Sequence, residues 1–178
     1  MKGERMRTDS QIDVAIVGGG IVGLGIGVGL LREKPGLNVT VLEAEEKHTL
    51  HGSGRNSGVL HAGFYYSPDS LKARLTRRGN ELLRKMCSDE GVALRSCGKV
   101  VVARNDTELE RLRELHRRAI ANGVDVKLVD PDELRLLEPL ARTHCAALWS
   151  PNTAVADASE VTEMLARVFV RLGGKINL

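Results

Sequence analysis

With 178 residues, 42% of them hydrophobic and 28% charged, the chain has the make-up of a soluble globular protein. It is long enough for one good core, or a core with a small appended subdomain. Its 26 basic and 23 acidic residues are interspersed, the net charge is +3, and two Phe, two Tyr and one Trp offer little for base stacking, which speaks against a nucleic-acid partner. Cys87, Cys97 and Cys145 show no CxxC spacing, so neither a disulfide framework nor a metal site is indicated, and a reducing, intracellular setting fits them.

The first eleven residues read as a disordered polar leader. Ile12 to Val17 is an apolar, β-branched run of the kind a buried parallel strand requires. Gly18, Gly20 and Gly23 follow in G-x-G-x-x-G register, then an apolar helix stopped by Lys34-Pro35-Gly36, then a second strand over 38–42 that ends in Glu43. Each glycine has a reason: Gly18 permits the tight turn, Gly20 lets the backbone approach a pyrophosphate, and Gly23 allows close packing of helix and strand. Ile21, Val22 and Gly23 open the helix and aim free N–H groups and the positive end of its dipole at that pyrophosphate. Glu43, 20 residues after Gly23, is placed to accept hydrogen bonds from the ribose hydroxyls of an adenosine, with Ala44 beside it. Val14 to Leu31 contains no charge and reaches the length of a transmembrane segment, but its seven glycines suit a membrane helix poorly. Asp13 and the acidic residues before it likewise spoil a signal peptide, so no transmembrane segment is expected.

The stretch 44–66 lacks helical or strand period and is rich in Gly, His, Ser and Asn. A connection this long is usually functional. Its centre, Gly52 to His61, offers successive backbone N–H donors able to wrap an anion or a flat polar ring. A helix is predicted next, with Ser67 as N-cap and Pro68 at its first position. Leu71, Leu75, Leu82, Leu83 and Met86 point inward in this reading, and Gly91 closes the helix. Two short strands flank Cys97-Gly98, and Asn105 with Glu108 forms a capping box for a helix with Leu109, Leu112, Leu115 and Ala119 inward. A strand over 125–129, a helical turn from Pro131, and a strand–turn–return over 146–157 follow. Asp157 and Glu160 cap a helix over 158–172, and a further strand begins at Lys175.

Three features together resemble the FAD-dependent oxidoreductases of the D-amino-acid oxidase (glycine oxidase-like) superfamily: the GGGIVG unit with Glu43, the segment GRNSGVLHAGFYYSPDSLKA, and LRLLEP followed by a VAD return. Within it, NSGVLHAGFYY followed by Pro and SLKA is similar to the L-2-hydroxyglutarate oxidase/dehydrogenase group, and the resemblance runs from Ile12 to Leu178. The group usually has Gly-Ile-Val-Asp where this chain has Ala154-Val155-Ala156-Asp157. The resemblance implies an α/β fold, a Rossmann-like FAD-binding domain with a parallel sheet plus part of an α+β substrate domain. It places the first part of the FAD-binding domain at 12–91, a partial substrate domain at 92–145, and a return to the FAD-binding domain at 146–178. Members of the group are longer and complete both domains with a carboxy-terminal half, so the chain resembles an amino-terminal fragment.

The resemblance also implies FAD as cofactor, with Gly18, Gly20 and Gly23 on the pyrophosphate, Glu43 on the ribose, and Arg55, Asn56, Ser57 and Gly58 along the flavin side. His61 is the candidate base, because a neutral imidazole accepts a proton near pH 7, and Tyr66 the candidate substrate contact. The implied reaction is oxidation of a small 2-hydroxy acid, L-2-hydroxyglutarate to 2-oxoglutarate, with oxygen or a membrane quinone as electron acceptor. A cytoplasmic location, or peripheral attachment at the inner membrane, goes with it. The alternatives are an amine-, amino-acid- or glycerol-3-phosphate-oxidising relative, and an inactive dinucleotide-binding fragment.

Overall fold

A computed structural model describes residues 11–178, so the leader expected over residues 1–11 lies, apart from Gln11, outside the described residues. The elements in chain order are β1 (Val14–Val17), α1 (Ile21–Glu33), β2 (Val39–Leu42), β3 (Val59–Leu60), α2 (Leu71–Glu90), β4 (Leu94–Arg95), β5 (Lys99–Val102), α3 (Asp106–Ala121), β6 (Lys127–Val129), α4 (Pro131–Leu137), β7 (Ala147–Ser150), β8 (Ala154–Ala156), α5 (Ala158–Arg171) and β9 (Lys175–Asn177). They fall into two compact units, one built from the described residues up to Ser57 together with Asp157–Leu178, the other from Gly58–Ala156.

The first unit is a parallel sheet in the order β1-β2-β9, with Val14 opposite Val39 and Thr40 opposite Lys175. Val39 and Val41 of β2 are buried, as a central parallel strand requires. α1 and α5 pack together where Gly27 meets Phe169: a Cβ on Gly27 would lie 2.6 Å from the Phe169 ring. The glycines of α1 lower its helix propensity but permit this approach. α5 is capped by Asp157, which accepts from the N–H groups of Ser159 and Glu160; it buries Val161, Leu165 and Val168, while Leu172, expected on the same face by its spacing, is the C-cap and 38% exposed.

The second unit holds two antiparallel three-stranded sheets, β3-β8-β4 and β5-β7-β6. Phe64, Leu109, Leu112, Val124, Val126 and Leu148 form its main core, and Val129, Leu134 and Ala147 a smaller one. α3 is capped by Asn105, but the Glu108 carboxylate accepts from the N–H of Arg104 rather than of Asn105. The reciprocal capping box stands instead at α4, between Asp130 and Glu133.

Several sequence expectations change. The N-cap of α2 is Ser70, whose Oγ accepts from Ala73 N–H, and not Ser67, so Pro68 lies in the preceding turn. The face of α2 expected to be inward is largely outward: Leu71 and Leu75 are 60% and 61% exposed, while Ala73, Asn80 and Cys87 are buried. Small side chains at a seven-residue spacing let the helix sit close to the strands, and that outweighs the leucine stripe. The loop after Glu43 contains β3, too short to show a period in sequence. The two compact units divide at 57/58 and 156/157, because Val59 and Leu60 pair with β8 and so belong with the second unit.

Candidate functional site

The glycine turn of the first unit shows why each residue type stands where it does. Gly18 has φ +102°, in the region that favours glycine, and its N–H donates to Leu42 O at 2.8 Å. A Cβ on Gly23 would fall 2.0 Å from Gly18 O, and one on Gly20 would fall 2.7 Å from Ser53 Oγ. α1 therefore starts flush against the turn. Gly20 caps it without a side-chain bond, Ile21 N–H donates to Ser53 Oγ at 2.9 Å, and Leu24 N–H closes the first turn on Gly20 O. The N–H groups of Val22 and Gly23 have no acceptor within the helix, as at any helix start.

Glu43 sits against this turn. Its Oε2 accepts from Gly19 N–H at 2.6 Å, and its Oε1 from the N–H groups of Ala44 and Glu45 at 3.0 and 3.1 Å. The Gly19 bond, followed by the Glu45 bond, pulls its pKa below the ordinary 4.5, so the carboxylate is ionised at neutral pH. Each carboxylate oxygen has two lone pairs, so Oε2 retains acceptor capacity beyond its backbone bond. His48 adds an unmet need: its Nδ1 is buried with no hydrogen-bond partner, and it lies 2.9 Å from where a Cβ of Gly19 would be. Asn56 folds back on its own loop, donating to Gly52 O and Ser53 O, while Arg55 and Ser57 are exposed.

The second unit carries Gly58, His61 and Tyr66. Gly58 has φ +64°, and a Cβ there would lie 2.0 Å from Ala156 O, so the segment meets β8 without room for a side chain. His61 follows β3 directly. Although the ring reaches solvent, partial burial and then the charge of Lys99 lower its pKa below 6.5, so it is neutral at pH 7. Lys99 Nζ lies 4.8 Å from the centroid of the Tyr65 ring, which in turn packs on Phe64. Tyr66 goes elsewhere: Lys72 Nζ stands 4.7 Å over its ring and its carbonyl accepts from Asn122. Lys99 thus acts on His61 through its charge and stacks on Tyr65, while Lys72 stacks on Tyr66. Ser53, His48 and Lys99 went unnoticed in the sequence; only the Gly52-Ser53-Gly54 setting hinted at the first. No cluster of three or more metal-ligating side chains occurs among the described residues.

A parallel sheet with a glycine turn, a bare helix start and a tethered carboxylate defines a dinucleotide-binding protein. The profile of the FAD dependent oxidoreductase family matches residues 13–177, and the chain belongs to that family. It is 44% identical over 170 residues to a mitochondrial L-2-hydroxyglutarate dehydrogenase of Caenorhabditis elegans, covering 93% of this chain and 38% of that protein. It is 38% identical over 164 residues to the L-2-hydroxyglutarate dehydrogenase of Escherichia coli, covering 92% and 39%. Among solved structures, the FAD-bound L-α-glycerophosphate oxidase of Mycoplasma pneumoniae superposes with a TM-score of 0.84 at 28% identity, over 93% of this chain and 44% of that one. The chain spans about two-fifths of the length of the curated relatives it matches. FAD is the cofactor of the family, and the residues present fit it: two unsatisfied helix N–H groups, a cradle that side chains at Gly20 and Gly23 would fill, and an orphaned His48 nitrogen beside Gly19. No helix among the described residues is long and apolar enough to cross a membrane.

Proposed function

We propose that this chain belongs to a flavoenzyme that oxidises a small 2-hydroxy acid, L-2-hydroxyglutarate, to the 2-oxo acid. The observation that carries the reading is the 38–44% identity of this chain to proteins named for that substrate, and with it stands His61, kept neutral by partial burial and by the charge of Lys99. A 2-hydroxy acid needs a base for its hydroxyl proton and a cation for its carboxylate. FAD, when bound, supplies the two-electron acceptor for the hydride that leaves the α-carbon. The turn of Gly18, Gly20 and Ile21 and the free N–H groups of Val22 and Gly23 would hold the pyrophosphate. Glu43 and Ala44 take the adenosine ribose, and Arg55, Asn56, Ser57 and Gly58 line the flavin side. His61 receives the hydroxyl proton at a ring nitrogen, and Lys99 holds the substrate carboxylate. Lys99 favours Tyr65 over Tyr66 as the aromatic neighbour of the substrate. The electrons pass on to oxygen or a membrane quinone, in the cytoplasm or peripherally at the inner membrane.

The likeness to a glycerophosphate oxidase supports a second reading, in which the alcohol oxidised is glycerol 3-phosphate. One experiment separates these. The purified protein is loaded with FAD, desalted, and mixed anaerobically with L-2-hydroxyglutarate, glycerol 3-phosphate or an amino acid while the visible flavin bands are followed. Bleaching by L-2-hydroxyglutarate alone is expected, and bleaching by another of the three replaces the substrate assignment. A chain that retains no flavin after desalting is a dinucleotide-binding fragment without activity of its own. In Gly23→Ala, whose new methyl collides with Gly18 O, retained flavin drops at least tenfold (about 1.4 kcal/mol).

A further inference from the structure

Asparagine in the middle of a long helix is a poor helix former, and burying its amide is costly unless every polar atom is satisfied. Asn80 lies midway along α2 and is 6% exposed. Its Nδ2 lies 3.0 Å from His61 O, 3.3 Å from Leu60 O and 3.3 Å from Asn152 O, two hydrogens serving three carbonyls. Its Oδ1 accepts from Arg84 Nε at 2.9 Å, one helical turn on, which fixes which end of the amide faces the carbonyls. Arg84 then donates from Nη2 to Asn152 O at 2.8 Å and from Nη1 to Ser96 Oγ at 2.9 Å. The ladder of β3 with β8 covers only Val59 and Leu60, so the His61 carbonyl stands just past the last strand pair, where a sheet no longer supplies a donor.

We infer that Asn80, oriented by Arg84, is the positioning residue for His61, fixing the main chain from which the imidazole projects. The inference rests on the reading of His61 as the base. Catalysis by a positioned base is sensitive to small displacements: a misplacement of about 1 Å costs on the order of a hundredfold. Asn80 would act through His61, by way of its bond to the His61 carbonyl.

The test uses the FAD-loaded protein with Asn80→Ala, Arg84→Lys, His61→Gln and the double variant Asn80→Ala/His61→Gln. Two quantities are read: the anaerobic rate of flavin reduction by L-2-hydroxyglutarate, and the pH titration of the His61 ring by NMR in the substrate-free protein. Asn80→Ala is expected to slow reduction about ten- to a hundredfold with half-saturation little changed. It is also expected to move the His61 midpoint toward its ordinary value, as the ring swings away from its packing and from Lys99. In the His61→Gln background the same substitution should cost nothing further, since a residue that acts through His61 has nothing left to act on. An equal loss in both backgrounds, or an unchanged rate and titration in Asn80→Ala, would overturn the inference and leave Asn80 a purely structural group. If Asn80→Ala does not fold, Arg84→Lys keeps the charge but lacks the Nε bond and must show the same two shifts at smaller size; no shift overturns the inference. Should His61→Gln itself reduce flavin at the unaltered rate, the assignment of the base fails, while the titration still decides whether Asn80 sets the ring.

Discussion

Glu43 shows how a single residue ties a strand end to the glycine turn. Its carboxylate ties β2 to the glycine turn through Gly19 N–H and closes the following turn through Ala44 and Glu45. Because these bonds favour the ionised form, its folded pKa lies below the unfolded value of 4.5. The stabilisation is therefore fully present above about pH 4.5 and is lost as pH falls through the folded pKa. Glu43→Gln should be less stable than the parent at pH 7, with the gap closing as the pH drops below 4, read from urea midpoints across the range. A constant gap at all pH values would mean that the charge contributes nothing. The sequence spacing identified Glu43 and the three glycines because local backbone geometry dictates them. It was silent on Ser53 and His48, which reach the turn only through the fold of the intervening loop.

At the scale of elements, short-range rules predicted α3 and α5 well and α2 badly. In α3 and α5 the apolar period, the Asn105 and Asp157 caps and the buried faces agree. In α2 a leucine stripe pointed one way and close packing the other, since Ala73 and Cys87 allow an approach that leucine would block. The turn into α2 holds a local cost: Asp69 is the one non-glycine residue with positive φ among the described residues, at +61°. Replacing it by glycine, which adopts that region freely, should raise stability by about 0.5–1 kcal/mol, a shift readable in the urea midpoint. Packing between α1 and α5 rests on Phe169, whose ring fills the space left by Gly27 and Gly174. Phe169→Ala should cost about 3–5 kcal/mol in the chemical unfolding of the first unit. A loss under about 1 kcal/mol would show that the helices close around the gap.

For the whole molecule, two features of the first unit predict association. β1 pairs only with β2 among the described residues, leaving its other edge open. Beside it Val17 is 87% exposed, and Val22 and Ile26 of α1 are 72% and 52% exposed. An open strand edge beside apolar side chains is a surface that pairs with another chain. The 178-residue chain alone should therefore self-associate, its sedimentation coefficient rising with concentration, and Ile26→Lys should reduce this. A coefficient independent of concentration would show that the edge is inert.

The sequence by itself determined the βαβ start and the family, because glycine spacing, strand composition and an acidic strand end are local properties that survive without knowledge of distant contacts. Only the tertiary structure decided which face of α2 is inward, where the units divide, and that Lys99 and Asn80 gather around His61. Those depend on the pairing of β3 with β8 and on hydrogen bonds such as Asn80 to Asn152, between residues 72 positions apart. No periodicity in the chain encodes such contacts; they arise only when the strands meet.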